Sequence, residues 1–146
     1  MCYTHRRLLA QTALQLIADG KNQKAINILK KADVEIPAYN VTLDYMSGGL
    51  DMARGWLLTG QKAKGKEYVE AVWKNAHQYL DYYLSLTNDR FLQSQNDCIR
   101  QIMIMQSVCD VAGMVSPQLQ KSYEKQLNAL YTLYRGRGGS MPQGNQ

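Results

Sequence analysis

The chain has 146 residues, 45% hydrophobic and 20% charged, which suits one domain with a single core. Leu, Ala, Gln, Lys, Arg, Glu and Met supply 71 residues against 20 for Val, Ile and Thr, so side-chain entropy favours helix nearly throughout and excludes a β-rich fold. The formal charge of +5 sits at the ends: without Arg6, Arg7, Arg135 and Arg137 the balance is 13 basic to 12 acidic, which excludes a body coated with positive charge.

The opening His5-Arg6-Arg7 before Leu8-Leu9-Ala10 has the outline of a signal peptide, but Gln11, Thr12 and Gln15 break the apolar run. An amphipathic helix fits better, with Leu9, Ala13, Leu16 and Ile17 at helical spacing up to Asp19-Gly20. Asn22 is the expected cap of a second helix, whose stripe of Ala25, Ile28, Leu29 and Ala32 runs until Pro37. Residues 38–42 are a connection. A third helix carries Leu50, Ala53, Trp56 and Leu57 and stops at Thr59-Gly60. The fourth runs from about Lys62 to Leu86. A fifth is expected from Asn88 or Asp89 to near Gly113, with Leu92, Ile99, Ile102, Met103 and Cys109 on its stripe. Ser116-Pro117 is a hydroxyl cap with proline at the first helical position, and Leu119, Tyr123, Leu127, Leu130 and Tyr134 follow it.

From Gly136 to Gln146 the pattern vanishes, and a loose Gly/Arg-rich tail is expected after a helical domain over 1–135. Cys98 and Cys109 lie eleven residues apart on one predicted helix, about 16 Å along its axis, beyond disulfide reach, so free core thiols are expected. No apolar run approaches the length of a membrane span.

Six helices joined by short turns predict an all-α, right-handed stack of about three antiparallel helical hairpins. Gly20 and Gly60 end the first helices of two hairpins, with Ala13 and Ala53 seven residues earlier. Ala25, Ala32 and Pro37, at five, twelve and seventeen residues past Gly20, match the tetratricopeptide spacing of small contacts and a terminating proline. In the second hairpin Gly65 and Val72 take the small positions and no proline follows; the third does not align. The interval between the two glycines is 40 residues, longer than the tetratricopeptide period of about 34, the excess falling between Pro37 and Ser47.

The segments Pro37-Ala38-Tyr39-Asn40-Val41, Asp44 to Ala53 and Tyr79 to Leu86 resemble the C-terminal region of a Bacteroidetes family of multi-spanning membrane proteins of unassigned function. In that family the N-terminal half is similar to protein O-mannosyltransferases and the soluble C-terminal part is tetratricopeptide-like. The resemblance implies an accessory, non-catalytic domain tethered to a bacterial inner membrane, with the periplasmic side favoured. It carries no catalytic residue onto this chain.

A tetratricopeptide-like groove would be lined by first helices, making Arg7, Leu14, Leu50, Arg54 and Leu57 candidates for contact with a protein or peptide, the parent's own membrane region among them. The alternative is that the arginines are solvated and the leucines are core. A carboxylate clamp is excluded, because Ala10 and Leu14 stand where lysine and asparagine are needed. Tyr39, Asn40 and Tyr45 on the connection are further partner-binding candidates, against a role in covering helix ends. Ser47-Gly48-Gly49 could cradle an anion, but close helix packing explains the glycines more simply.

Lys21 and Lys24, Lys62, Lys64 and Lys66, and Lys121 and Lys125 each follow a turn inside a hairpin. They are expected along one edge, with Asp33, Glu35, Asp44 and Asp89 along the other. Such a basic edge would suit an anionic membrane surface or acidic partner, ordinary solvation being the alternative. Arg135-Gly-Arg-Gly-Gly resembles RNA-binding tracts, and a nucleic-acid-binding helical protein is the rival reading, disfavoured by the near-neutral body. His5 and His77 lack partners at metal-ligand spacing, Glu67 and Glu70 read as a solvated face, and Tyr79, Tyr82 and Tyr83 read as core. No cofactor, metal or catalytic constellation is expected.

Overall fold

The computed structural model describes residues 2–140. Its helices are α1 (Cys2–Ala18), α2 (Asn22–Glu35), α3 (Gly49–Leu58), α4 (Lys62–Leu84), α5 (Asn88–Gln93), α6 (Gln95–Val115) and α7 (Pro117–Gly136), with no strand among the described residues. The protein is all-α. Helices α1 and α2, α3 and α4, and α6 and α7 pack as three pairs. Helix α3 lies against both members of the first pair, and α6 against both members of the second. One apolar core runs through all of them, from Ala13 and Leu29 through Trp56 and Val69 to Met105 and Tyr134.

The two corner glycines close their helices in the same way. Gly20 and Gly60 have φ of +76° and +80°, where only glycine is free of steric cost. Around each, the glycine N–H bonds three residues back, to Ile17 or Leu57, and the next N–H reaches five back, from Lys21 to Leu16 at 2.8 Å and from Gln61 to Trp56 at 2.8 Å. These are Schellman caps. The small positions also serve their expected purpose, since a Cβ on Gly65 would collide with Leu57, and Ala53 is fully buried.

Several expected boundaries move. Asn22 is the first residue of α2 rather than its cap, and Thr87, not Asn88 or Asp89, stands before α5. The predicted fifth helix is two helices. Ser94 interrupts it, its hydroxyl and N–H both turned back onto the Arg90 carbonyl, and the short α5 is anchored by the buried Phe91. Helix α6 continues past Gly113 to Val115, and the stop is Ser116, whose Oγ accepts from the Leu119 N–H at 3.1 Å as the hydroxyl-proline signal requires. The apolar residues of α6 are spaced by Gln101, Gln106 and Ser107, yet the helix is long and apolar enough by composition to cross a membrane, contrary to the expectation of none. Half of its apolar window is buried in the fold, where it is the middle helix between α4 and α7.

Residues 136–140 depart from the loose tail expected there. Gly138 repeats the Schellman cap with φ +93°, the Tyr134 hydroxyl donates to the Ser140 carbonyl, and the Arg135 guanidinium donates to the Gly139 carbonyl. Arg137 crosses to the end of α4, donating to the carbonyls of Leu84 and Leu86 and to Asn88 Oδ1, with its guanidinium 4.4 Å from the Phe91 ring centre. The expected tail residues 141–146 lie outside the described part.

Arg6 is fully buried. Its Nη1 donates to the Thr42 carbonyl and Ser47 Oγ, both at 3.0 Å, and its Nη2 to the carbonyls of Ile36 at 2.8 Å and Val41 at 2.6 Å. These acceptors belong to the connection between α2 and α3, where a buried carbonyl without a donor would be costly. Arg6→Ala is expected to lower unfolding free energy by at least about 3 kcal/mol in urea titration, because several acceptors lose their donor together. Arg6→Lys should recover less than half, since one ammonium cannot reproduce a planar fork.

Tyr123 of α7 stacks on Trp73 of α4, with ring centres 4.0 Å apart and planes 4° from parallel. Burial, helped by the nearby Glu70, pushes its hydroxyl from 10.0 up to about 12, and burial pushes the Cys109 thiol from 9.0 up to about 11. Both groups hold their protons more tightly folded than unfolded. Their contribution is therefore complete below pH 9 and is lost as pH rises from 9 to 12. Urea midpoints measured across that range should fall, and Tyr123→Phe should flatten the part of the slope above pH 10.

Candidate functional site

The first helices of the three pairs, α1, α3 and α6, share one concave face with Tyr45 and Met46 of the connection at its centre. Arg7, Gln11, Tyr45, Met46, Leu50, Asp51, Arg54 and Ser107 surround a hollow of 220 Å³. Sharing Tyr45, Met46 and Ser107 with it is a groove of 540 Å³ along α6, walled by Asn96, Ile99, Arg100, Met103 and Asp110. From Asn96 to Asp110 the helix advances about 21 Å at 1.5 Å per residue, room for several residues of a peptide. A side branch of 240 Å³ reaches Asn75 and Tyr79 on α4.

Tyr45 and Met46 are held outward by the turn behind them. Ser47 is completely buried, donates its hydroxyl to the Thr42 carbonyl at 2.7 Å, and gives its N–H to Asp44 Oδ1 at 2.7 Å. Gly48, with φ +86°, lies so close to α1 that a Cβ would stand 2.7 Å from Arg7 Cα, and a Cβ on Gly49 would stand 2.8 Å from the Asp44 carbonyl and from Val72. The glycines therefore serve close approach. The result leaves Met46 58% exposed and Tyr45 44% exposed, beside the buried Leu50 and the polar side chains of Arg7, Gln11, Asp51, Arg54 and Ser107.

Of the residues expected to meet a partner, Arg7, Tyr45, Leu50 and Arg54 come together in this groove. Leu50 is nearly buried, so it is floor as well as core. Leu14 follows Arg7 and Gln11 on the same face of α1, half-buried beyond the hollow. Leu57 is turned into the second hairpin, where it occupies the space left by Gly65. Tyr39 and Asn40 stand at the tip of the connection, away from the groove, and Tyr39 at 88% exposure covers no helix end. Composition hid Gln11, Met46, Arg100 and Met103. The spacing Asn96, Arg100, Met103, Ser107, Asp110 is a helical face that could have been read as the third wall.

The groove carries both signs of charge. Arg54 lies 3.9 Å from Asp51, and Arg100 lies 3.7 Å from Asp97, both on their own helices and exposed. Such pairs contribute little and exchange readily for an incoming carboxylate. Arg7 makes no hydrogen bond or ion pair among the described residues and faces the hollow.

Lys62 and Lys66 sit beside Ser116, Gln118 and Leu119, so the turns of the second and third pairs do share an edge. The expected separation of charge fails at Asp33, which lies 3.2 Å from Lys64. Burial raises the Asp33 carboxyl above its usual range, and the Lys64 charge opposes that shift without cancelling it. Lys66 pairs with Glu70 at 3.7 Å, while Lys21, Lys24 and Lys62 are exposed without an ion pair among the described residues. His77 shares its Nδ1 with Asp81 at 2.9 Å and borders Trp73. Tyr79 and Tyr82 are exposed rather than core. Among the described residues no three His, Cys, Asp or Glu side chains gather as a metal site, and Cys98 and Cys109 are buried free thiols.

Replacing the groove's exposed centre should be nearly silent for folding. Met46→Ser is expected to change unfolding free energy by no more than about 0.5 kcal/mol, and Leu50→Ala to cost about 2–5 kcal/mol, both by chemical denaturation.

Compared with known proteins, the chain matches no family model, no curated protein and no solved structure.

Proposed function

We propose that the protein is a non-catalytic interaction domain that holds a segment of another protein in the groove formed by α1, α3 and α6. The observation that carries this reading is the convergence of three successive pairs on one concave face around exposed Tyr45 and Met46. Apolar surface at the centre of a polar-rimmed hollow supplies affinity, and the arginines at the rim supply orientation. A ligand with two or three apolar anchors and a carboxylate near Arg7 and Arg54 fits that lining.

The finer architecture that we infer is a right-handed, tetratricopeptide-like stack of hairpins. It is supported by the matching caps at Gly20 and Gly60 and by the packing of α3 and α6 on the pair before each. The resemblance of the 37–53 and 79–86 segments to a membrane glycosyltransferase-like family supports a further proposal, that this is a soluble part of such a protein, tethered at a bacterial inner membrane with the periplasmic side favoured. An anionic membrane surface remains a candidate contact for Lys21, Lys24 and Lys62. The nucleic-acid reading loses two of its four terminal arginines, since Arg6 and Arg137 are engaged within the fold.

The test is selection of random peptides displayed on phage against the intact chain, repeated with an Arg7→Glu, Arg54→Glu double variant. Peptides carrying apolar anchors beside Asp or Glu should be enriched on the first and weakened about tenfold or more on the second. Equal binding by both proteins would remove the groove from the function.

A further inference from the structure

The side branch of the concave groove is lined differently from the groove itself. It is a hollow of 240 Å³ between the connection, α4 and α6, and its buried lining is apolar, Val72 of α4 and Ile104 of α6. Two exposed aromatic residues also line it, Tyr45 of the connection and Tyr79 of α4. The Tyr79 ring is held by Tyr83, with centres 6.4 Å apart and planes 25° from parallel. Asn75 of α4 and Gln101 of α6 complete the hollow. Both are half-buried, and their side-chain amides make no hydrogen bond among the described residues. Polar groups taken partly out of water without partners are costly, and a guest that bonds them recovers that cost.

The hollow is built before any guest arrives. The Gly49 N–H bonds the Asp44 carbonyl at 2.9 Å, and a Cβ on Gly49 would stand 2.8 Å from both that carbonyl and Val72, so the connection rests directly on α4 here. The two charged residues of the lining are already engaged: Asp44 Oδ1 accepts from the Ser47 N–H at 2.7 Å, and Arg100 lies 3.7 Å from Asp97. They are also of opposite sign, so neither a cation nor an anion is favoured. What stays open is a pair of neutral amides, each offering donors and an acceptor. A matching side chain has a flat apolar body for the rings and for Val72 and Ile104, and a neutral end that both donates and accepts. Tyrosine combines these. Phenylalanine lacks the polar end, tryptophan only donates, and asparagine and glutamine lack the ring.

We propose, on the reading of the concave groove as the seat of a protein segment, that this side branch is a specificity pocket for one tyrosine of that segment, its hydroxyl bonded by Asn75 and Gln101 and its ring set against Tyr45 and Tyr79. The probes are peptides selected on phage against the intact chain. They should hold tyrosine at one fixed position and lose about tenfold or more in affinity when it is replaced by phenylalanine. On an Asn75→Leu, Gln101→Met double variant the two peptides should bind within about twofold of one another. On the Arg7→Glu, Arg54→Glu protein both should weaken and the preference for tyrosine should stay. Tyr79→Ser, at an exposed position outside the apolar core, removes a wall and should weaken both peptides together. Selected peptides without a fixed tyrosine, or a preference that survives loss of the two amides, would overturn the pocket and leave the groove standing. Equal binding on the Arg7, Arg54 variant would overturn the groove instead, and recovery of no peptide would overturn both. Tighter binding of the peptide phosphorylated on its tyrosine would make Arg100 an anion contact and overturn the neutral pocket.

Discussion

The connection between α2 and α3 cannot be buried without donors for its carbonyls, and one guanidinium supplies them. Arg6 sits on α1 and reaches 30 to 41 residues along the chain to Ile36, Val41, Thr42 and Ser47. Ordering that connection is what places Tyr45 and Met46 at the centre of the concave face and brings Gly48 against the α1 backbone. The connection that separates the first two helical pairs thus has an internal counterpart on α1, and the groove exists because the two are joined. A charge taken out of water is expensive unless its donors are used, and here four bonds of 2.6 to 3.0 Å use them.

Around that constraint the packing is local. Helix α3 packs on both helices of the first pair and α6 on both helices of the second, with small residues or glycines where backbones come close, as at Ala13, Ala53, Gly55 and Gly65. The concave face follows from this succession, since the first helices of consecutive pairs fall side by side. In the proposed function, specificity rests on exposed side chains such as Arg7, Met46 and Arg54, which lie outside the apolar core.

Helical class, corner glycines and the Ser116-Pro117 start were legible because each is governed by chemistry within a few residues: side-chain entropy, a left-handed backbone position, a hydroxyl accepting from an N–H three residues on. Four groove residues were legible for the same reason, Arg7, Leu50 and Arg54 lying on predicted first helices and Tyr45 on the connection. What escaped reading were interactions between residues far apart in sequence. Arg6 looked like excess charge at a terminus because nothing nearby in sequence announces carbonyls at 36, 41 and 42. Arg137 looked like part of a basic tail although its acceptors lie at 84, 86 and 88. The break at Ser94 was hidden by an apolar stripe that continues through it, and the pairing of Lys64 with Asp33 could not be inferred from turn positions alone.

The reach of Arg137 to the end of α4 has a consequence for how the molecule comes apart. Arrays of stacked hairpins hold together through near neighbours and can fray one unit at a time from an end. Here a contact spanning about fifty residues closes the rear half into a ring of chain that includes α5, α6 and α7. The last hairpin cannot lift away without breaking that clasp, whereas at the front the Arg6 network ties α1 to the connection before α3, over the same apolar core.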